Sequence, residues 1–247
     1  MAGNRLKKIL DLPPDTLACT IAYNYYGGYC LPRSSLHRPA SKAVQEGRVY
    51  ERKTIAFMMA NCGDGDIIHA GTYFGDFLPA LSGALSPKAL LWAFEPNAEN
   101  YRCAEITGRI NMLNNIKLTN AGLGESQTQG SLKTVDPKGV SLGGASRIVP
   151  ERMAGKPGVT AVDIVSLDKV IPEDRVVSVL QLDVEGYEKA ALQGAMGIIR
   201  RCRPILILEQ LDDGALTGSD WFEQQIASLG YSQTGVVHSN VVFEVTS

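Results

Sequence analysis

Apolar residues occur along this chain with two spacings, one typical of strands and the other typical of helices. Short apolar runs end at Ala70, Phe94 and Leu182, and each is followed at once by glycine or by an acidic residue. Between these runs, apolar residues recur every three or four positions, which indicates helices with one buried face. Strands and helices that alternate in this order predict an α/β fold with a parallel sheet covered by helices on both faces.

The ends of the predicted elements follow from where each pattern starts and stops. Glycine, proline and asparagine mark many of these ends, because they favour turns and helix caps. One predicted strand ends at Ala70. The other predicted strands span Ala89–Phe94, Ile116–Ala121, Val176–Leu182, Arg203–Leu208, Tyr231–Val236 and Val241–Val245. The predicted helices span about Tyr50–Met59, Gly75–Leu85, Pro96–Asn114, Tyr187–Arg200 and Trp221–Leu229.

Two segments depart from this alternation. Residues 1–49 have no clear period and mix tyrosines with a glycine pair, which predicts an extension that wraps the sheet or covers a pocket. A surface segment that packs its tyrosines on the core is the alternative.

Residues 125–160 are rich in Gly, Ser, Thr and Pro. One short strand-like piece, Ser131–Val135, lies within this range, and another, Val162–Val165, follows directly after it. We expect a hairpin insertion near the ligand-binding end of the sheet, within a single domain of residues 50–247.

The composition is that of an ordinary globular protein, and it narrows the range of partners. Of the 247 residues, 45% are hydrophobic and 20% are charged, and the formal net charge is −2. This charge favours neither nucleic acid nor a membrane as partner, and no apolar run reaches the ~18–20 residues of a membrane span. The five cysteines form no C-x-x-C pair and the N-terminal segment does not resemble a signal peptide, so we expect reduced thiols and a cytoplasmic location.

A glycine turn and an acidic residue predict the ligand. Gly71 and Gly75 follow the strand that ends at Ala70, and glycines there let a ligand approach the backbone and the start of the next helix. Glu95 follows the next strand, where an acidic side chain in nucleotide-binding sheets accepts hydrogen bonds from ribose hydroxyls. Together these features predict a site for a cofactor that contains adenosine.

Four predicted strands end in polar residues that should meet at one edge of the sheet. These residues are His69, Glu95, Asp183 and Glu209. The carboxyl ends of parallel strands lie on the same edge, and ligands bind there. Each residue also has a structural alternative, because an acid at this position can cap a helix and a histidine can belong to the core.

These positions carry a resemblance to the FkbM-type S-adenosylmethionine-dependent methyltransferases. The resemblance covers roughly Tyr50 to the C-terminus, and the segment Asp183-Val184-Glu185-Gly186-Tyr187-Glu188 is its most specific part. It implies the class I methyltransferase fold, a Rossmann-like sheet of seven mostly parallel strands whose last strand is antiparallel. The other matching segments are His69-Ala70-Gly71-Thr72-Tyr73-Phe74-Gly75, Phe94-Glu95-Pro96-Asn97, Leu192-Gln193-Gly194-Ala195, Arg203-Pro204-Ile205-Leu206-Ile207-Leu208-Glu209 and His238-Ser239-Asn240-Val241-Val242-Phe243.

The resemblance implies methyl transfer from S-adenosylmethionine to a hydroxyl oxygen of a sugar or another small metabolite. The turn from Gly71 to Gly75 would lie under the methionine part of the cofactor, Glu95 would hold the ribose, and residues 120–123 would flank the adenine. The implied cofactor-binding residues are His69, Gly71, Thr72, Tyr73, Gly75, Asp76, Glu95, Pro96, Asn97, Gly122 and Asp183. The candidate catalytic residues are Asp183, Glu185, Glu209 and His238, with Asp183 preferred as the base that accepts the hydroxyl proton.

The sequence departs from the family pattern at the first motif and leaves alternatives open. His69 stands where the family has Asp, and Thr72-Tyr73 stand where it has Ala-Asn. The carboxylates would suit Mg²⁺, but their spacing is not diagnostic of a metal site, and none is assigned. A binding module without catalytic activity and methyl transfer to nitrogen remain alternatives. A nicotinamide-dependent oxidoreductase is disfavoured, because the G-x-G-x-x-G fingerprint is absent.

Overall fold

The computed structural model of this protein describes residues 16–209 and 216–246. It contains thirteen strands: β1 (Cys19–Asn24), β2 (Gly27–Pro32), β3 (Asp66–Ala70), β4 (Leu91–Phe94), β5 (Ile116–Thr119), β6 (Gly122–Leu123), β7 (Thr128–Lys133), β8 (Arg147–Val149), β9 (Val159–Val165), β10 (Val177–Leu182), β11 (Ile205–Glu209), β12 (Tyr231–Val237) and β13 (Asn240–Val245). Its α-helices are α1 (Pro39–Gln45), α2 (Arg52–Asn61), α3 (Leu78–Ala84), α4 (Ala98–Ile110), α5 (Leu167–Val170), α6 (Glu188–Gln193), α7 (Met196–Cys202) and α8 (Asp220–Gln225). Short 3-10 turns lie at Arg33–Ser35, Gly143–Ala145, Glu151–Met153 and Ala227–Leu229.

A central sheet of seven strands confirms the expected architecture. Its strand order is β12-β13-β11-β10-β3-β4-β5. Strands β11, β10, β3, β4 and β5 are paired in parallel, whereas β13 runs antiparallel to both of its neighbours. The ends of β3, β4, β10 and β11 therefore meet at one edge, where the sequence places its polar residues.

Alternate residues of the central strands pack on opposite faces of the sheet. Ile68 and Leu180 belong to one buried apolar cluster, and their neighbours Ile67 and Val179 belong to another on the other face. Continuous apolar runs are required because both faces are covered by helices. Burial of each such side chain contributes about 1.5–3 kcal/mol relative to exposure, which fixes the register of the strands.

The insertion is larger than the expected hairpin. Strands β7 and β9 do form an antiparallel pair, but β8 and the short β6 extend it into a separate sheet of four strands in the order β6-β9-β7-β8. The prediction missed β6 and β8 because two- and three-residue strands show no detectable alternation. Through β6, which follows β5 directly in the chain, the insertion is joined to the ligand-binding edge of the central sheet.

Within the N-terminal extension, residues 16–49 contain regular structure that their sequence does not indicate, and residues 1–15 lie outside the described residues. Strands β1 and β2 form a hairpin that packs on α4, where Thr107 and Asn111 accept hydrogen bonds from the β2 backbone at 3.0 Å. The tyrosines of this segment have different environments. Tyr29 is fully buried against Phe74, whereas Tyr25 at the hairpin turn is 89% exposed.

Two predicted helices need correction. Helix α3 begins at Leu78 and not near Gly75, since Gly75 has a φ of +84°, which no helical residue adopts. The helix expected from Tyr187 to Arg200 is divided into α6 and α7 around Gly194. The Gly194 backbone packs so closely on the carbonyl oxygen of Gly124 that a Cβ atom would lie 2.0 Å from it. Among the described residues, no helix has the length and apolar character needed to cross a lipid bilayer.

Replacement of Asp66 with alanine is expected to lower the free energy of unfolding by about 3–5 kcal/mol. Asp66 begins β3, is 1% exposed, and accepts hydrogen bonds from Leu90 N, Trp92 Nε1 and Arg175 Nε, each at 2.8 Å. The variant would leave these donors without their partner, and urea denaturation measures the loss. The control is Glu46→Ala, which breaks an exposed ion pair and should change stability by less than about 1 kcal/mol. Equal effects of the two substitutions would contradict this account.

Candidate active site

The glycine turn after β3 brings the ends of two neighbouring strands into close contact. Gly71 has a φ of +86°, and a Cβ atom on it would lie 1.9 Å from the carbonyl oxygen of Asp183 at the end of β10. The backbone N–H groups of Gly71 and Thr72 donate to the Phe94 carbonyl at 3.1 and 3.2 Å. Only glycine fits this position, because any side chain would separate β3 from β10.

Glu95 presents a buried carboxylate at the end of β4. Its side chain accepts hydrogen bonds from Tyr73 N at 2.7 Å, Asn97 N at 2.8 Å and Asn100 Nδ2 at 3.3 Å, and it is 3% exposed. Burial raises the pKa of Glu95 to about 7, although these hydrogen bonds act in the opposite direction. Asn97 also caps α4 by accepting from Glu99 N at 3.0 Å, so this predicted residue has a structural role as well.

A narrow cavity lies beside Glu95, at the end of β4, where the sequence predicts that the adenosine of a cofactor binds. Its volume is about 20 Å³. The walls come from the ends of β3 and β4, from β6, and from Gly144, Ser146 and Ile148 of the insertion. The predicted residues Gly71, Glu95, Pro96, Gly122 and Asp183 all line it.

A second, wider cavity lies at the ends of β10 and β11 and has a volume of about 160 Å³. Three of its carboxylates, those of Asp183, Glu185 and Glu209, each offer an oxygen, and these oxygens lie within 4.8 Å of one another. Glu51 and Asp76 contribute two further acids to its walls. Asp183 and Gly71 line both cavities, so the two spaces meet at the end of β10.

Burial and the proximity of other carboxylates raise the pKa values of Asp183 and Glu185. Burial and the neighbouring Glu209 raise the pKa of Asp183 well above its usual range. Burial and Glu209 also raise the pKa of Glu185 to about 7, while Arg38 and Arg147 oppose this shift. A carboxylate with such a pKa can gain and lose a proton near neutrality, which suits a general base.

His69 does not end its strand, and its ring is held within the wall of the wider cavity. Nδ1 is hydrogen bonded to Gln181 Oε1 on β10, and the ring stacks on Phe77 with centroids 4.8 Å apart. Burial lowers the pKa of His69 to about 4, so the ring is neutral at physiological pH. Nε2 is buried without a hydrogen-bond partner.

Strained backbone is concentrated around the wider cavity. Glu51, Tyr73 and Glu185 have φ values of 46°, 51° and 54°, in the left-handed region that disfavours residues with a side chain. All three line this cavity. Left-handed conformations in non-glycine residues cost about 1–3 kcal/mol and cluster at functional sites, where they hold side chains in the geometry that function needs.

Several predicted residues lie apart from both cavities or have no free polar atom. His238 is exposed on the β12–β13 turn with its ring 5.9 Å from that of Tyr50, and only its neighbour Ser239 lines the wider cavity. Thr72 is fully buried, and its hydroxyl donates to the His69 carbonyl at 3.2 Å. The Tyr73 hydroxyl donates to Ser35 Oγ at 2.6 Å, although its ring still forms part of the wall.

Sequence reasoning missed Gln181, Glu51 and Arg38, which all line the wider cavity. Gln181 could have been found, because it is the polar residue within the apolar run of β10. Glu51 and Arg38 carry no signal in the sequence, since they reach the cavity only through the folding of the N-terminal segment. Tyr25, Tyr26 and Tyr29 of the N-terminal segment line neither of the two cavities.

The free energy of unfolding is expected to fall as the pH rises from about 5 to about 8. The folded chain raises the pKa of Glu95 from 4.5 to about 7 and that of Asp76 from 3.8 to about 8, in both cases mainly by burial. The folded state therefore holds protons that the unfolded state releases above its ordinary pKa. This stabilisation is complete at pH values below the ordinary pKa values of the two groups, and it is lost as the pH rises through their raised pKa values. The loss is no more than about 1.4 kcal/mol per pH unit for each proton.

Thermal unfolding at a series of pH values measures this slope. Glu95→Gln carries no titratable group at this position, so its profile should be shallower than that of the native chain. An equal slope in both proteins would show that Glu95 does not titrate in this range.

Comparisons with known proteins agree with this geometry. The family model described as the methyltransferase FkbM domain matches residues 69–230, more than half of the chain. A similar solved structure is the methyltransferase FkbM from Methylobacillus flagellatus KT, with a TM-score of 0.50 and 18% identity over 73% of this chain and 43% of that chain. Another is TYW2 from M. jannaschii in complex with AdoMet, with a TM-score of 0.50 and 13% identity over 96% and 90% of the two chains.

Sequence identities of 18% and 13% support similarity of the fold alone. The chain spans less than half the length of the Methylobacillus protein. No curated protein matches the chain.

Proposed function

The chain belongs to the FkbM methyltransferase family, and from this premise we propose that it transfers the methyl group of S-adenosylmethionine to a hydroxyl oxygen of a sugar or another small metabolite. One observation carries the proposal. Asp183 lines both the narrow cavity beside Glu95 and the wider cavity rich in carboxylates, so a group bound in one can meet a group bound in the other. The methyl transfer would take place where the two cavities meet.

The residues around the narrow cavity fit the cofactor. Gly71 leaves free the space that a side chain would fill, and Glu95 offers a buried acceptor for ribose hydroxyls. Glu95 would hold the ribose, Gly122 and Leu123 would flank the adenine, and the turn from Gly71 to Gly75 would support the methionine part.

Binding requires part of the insertion to move. The narrow cavity is smaller than the cofactor, and residues 143–148 close it. Two side-chain hydrogen bonds join this segment to the body of the protein, from Asn97 Nδ2 to Ser146 Oγ and from Asn100 Nδ2 to the Gly143 carbonyl. Both are made by residues next to Glu95, so entry of the ribose would replace them with contacts to the cofactor.

S-adenosylmethionine, when bound, supplies an electrophilic methyl group on its sulfonium. The protein then has to align the acceptor oxygen with that group and to accept the hydroxyl proton. Asp183 lines both cavities and Glu185 lines the wider one, and one of these two carboxylates would accept the proton. Glu185 suits this role because its pKa of about 7 leaves it partly ionised at neutral pH. The strained backbone of Glu185 holds its carboxylate towards the cavity.

Calorimetric titration of the full chain with S-adenosylmethionine tests the proposal. We expect one binding site with a dissociation constant in the micromolar range, corresponding to about −8 kcal/mol. Incubation of the complex with labelled cofactor and a panel of sugars, other alcohols and amines should then transfer the label to a hydroxyl. Lack of binding would overturn the methyltransferase function, and label found only on amines would overturn the choice of oxygen.

A further inference from the structure

The wider cavity combines three converging carboxylates with very little positive charge. Asp183, Glu185 and Glu209 come from the ends of β10 and β11, and their nearest oxygens lie within 4.8 Å of one another. Among residues 16–209 and 216–246, none of the ion pairs involves these three side chains. Arg38 is the basic residue in the cavity wall, and the acidic residues that line it are Asp183, Glu185, Glu209, Glu51 and Asp76. The charge balance of the cavity therefore favours a cationic ligand.

His69 provides an independent indication of a ligand. It is 2% exposed, lines the same cavity, and has a buried Nε2 atom that no group in the described part of the chain satisfies. Because Nδ1 is hydrogen bonded to the side-chain amide oxygen Oε1 of Gln181, the proton lies on Nδ1, and Nε2 carries a lone pair. Leaving such a buried acceptor unpaired costs about 1–3 kcal/mol, so a donor is expected there. Glu209 Oε2 is a second buried acceptor with no hydrogen-bond partner among the described residues.

We propose that this cavity is a site for a divalent metal ion, with one oxygen ligand from each of Asp183, Glu185 and Glu209 and with bound water that donates a hydrogen bond to His69 Nε2. Ligands of Mg²⁺ at about 2.1 Å lie roughly 3.0–4.2 Å apart, and those of Ca²⁺ at about 2.4 Å lie up to about 4.8 Å apart. The separation of the three carboxylates falls within this range. The cavity of about 160 Å³ also has room for several water molecules at ~30 Å³ each.

A metal ion fits these walls better than an ammonium group does. Three carboxylates carry up to three negative charges, and a divalent ion leaves one of them uncompensated where an ammonium leaves two. Carboxylate oxygens are also the ligands that Mg²⁺ and Ca²⁺ prefer, and Mg²⁺ keeps several of its water molecules when bound. Those retained waters are the donors that His69 Nε2 lacks.

The role of this ion rests on the proposed function. A metal ion beside Asp183 would lie where the two cavities meet, and it would lower the pKa of an acceptor hydroxyl that binds to it.

Titration of the full chain with Mn²⁺ by calorimetry, without cofactor or acceptor, tests the site. We expect one ion per chain with a dissociation constant below about 1 mM, and competition by Mg²⁺ or Ca²⁺. Asp183→Asn and Glu209→Gln should each weaken binding at least about tenfold. The matched control Glu223→Gln, on the exposed side of α8, should bind as the native chain does.

Thermal unfolding keeps the test decisive if a variant folds poorly. Mn²⁺ should raise the melting temperature of the native chain and of Glu223→Gln, and should leave that of Glu209→Gln unchanged. Absence of Mn²⁺ binding to the native chain, or equal affinity in Glu209→Gln, would overturn the metal site. Binding of Mn²⁺ through Glu209 without binding of S-adenosylmethionine would support the site and refute the proposed function, so the two can fail separately.

Discussion

Replacement of Glu95 with alanine is expected to weaken the binding of S-adenosylmethionine by about 100-fold or more. The ionised carboxylate would accept hydrogen bonds from the ribose hydroxyls, and each bond to a charged group contributes about 1.5–3 kcal/mol. Loss of two such bonds amounts to about 3–6 kcal/mol, and each 1.4 kcal/mol changes the dissociation constant tenfold. The variant would also release Tyr73 N and Asn97 N, which Glu95 holds in place.

Calorimetric titration of the native chain and of the variant measures this effect. Glu105→Ala is the matched control, because it also replaces a glutamate with alanine, but on α4, where Glu105 forms a surface ion pair with Arg109. Circular dichroism shows whether the Glu95 variant is folded at the temperature of the titration. Native affinity in a folded Glu95→Ala variant would exclude Glu95 from the cofactor site and would leave its buried carboxylate with a structural role alone.

The sequence predicts the central sheet well, because burial on both faces constrains what its strands can contain. The apolar runs that end at Ala70, Phe94 and Leu182 correspond to β3, β4 and β10, and each ends within one residue of the predicted position. A parallel strand covered on both sides must be apolar throughout, so its limits are visible in the sequence. The sequence predicts that the glycines of this turn let a ligand approach the backbone, and the structure shows in addition that Gly71 lies against the backbone of Asp183.

The site is less predictable than the sheet, because its residues are joined by packing and not by sequence pattern. His69 was expected to end its strand beside the carboxylates. It lines the wider cavity with them, but β3 continues to Ala70, and the ring is hydrogen bonded to Gln181. Glu51 enters the wider cavity because α2 starts from a left-handed residue, a conformation that no spacing of residues reveals. The closure of the narrow cavity by residues 143–148 depends on the position of the whole insertion.

Gly71→Ala is expected to lower the free energy of unfolding by about 2–6 kcal/mol and to abolish the proposed methyl transfer. A positive φ costs about 1–3 kcal/mol in a residue with a Cβ atom, and forcing extra volume into a packed position costs about another 1–3 kcal/mol. The neighbour that has to move is the carbonyl oxygen of Asp183, 1.9 Å from the added atom. The same displacement would shift the Asp183 side chain between the two cavities, so stability and activity should fall together.

Gly83→Ala is the matched control for this prediction, because it makes the same substitution in a helix with nothing within 4 Å of the added Cβ atom. It should raise the free energy of unfolding by about 0.5–1 kcal/mol, since alanine loses less backbone entropy than glycine in a helix. Urea denaturation of the two variants should therefore show shifts of opposite sign. If Gly71→Ala unfolds at the same urea concentration as the native chain, the turn after β3 has room for a side chain. Its glycine is then needed neither for the contact between the strands nor for the cofactor.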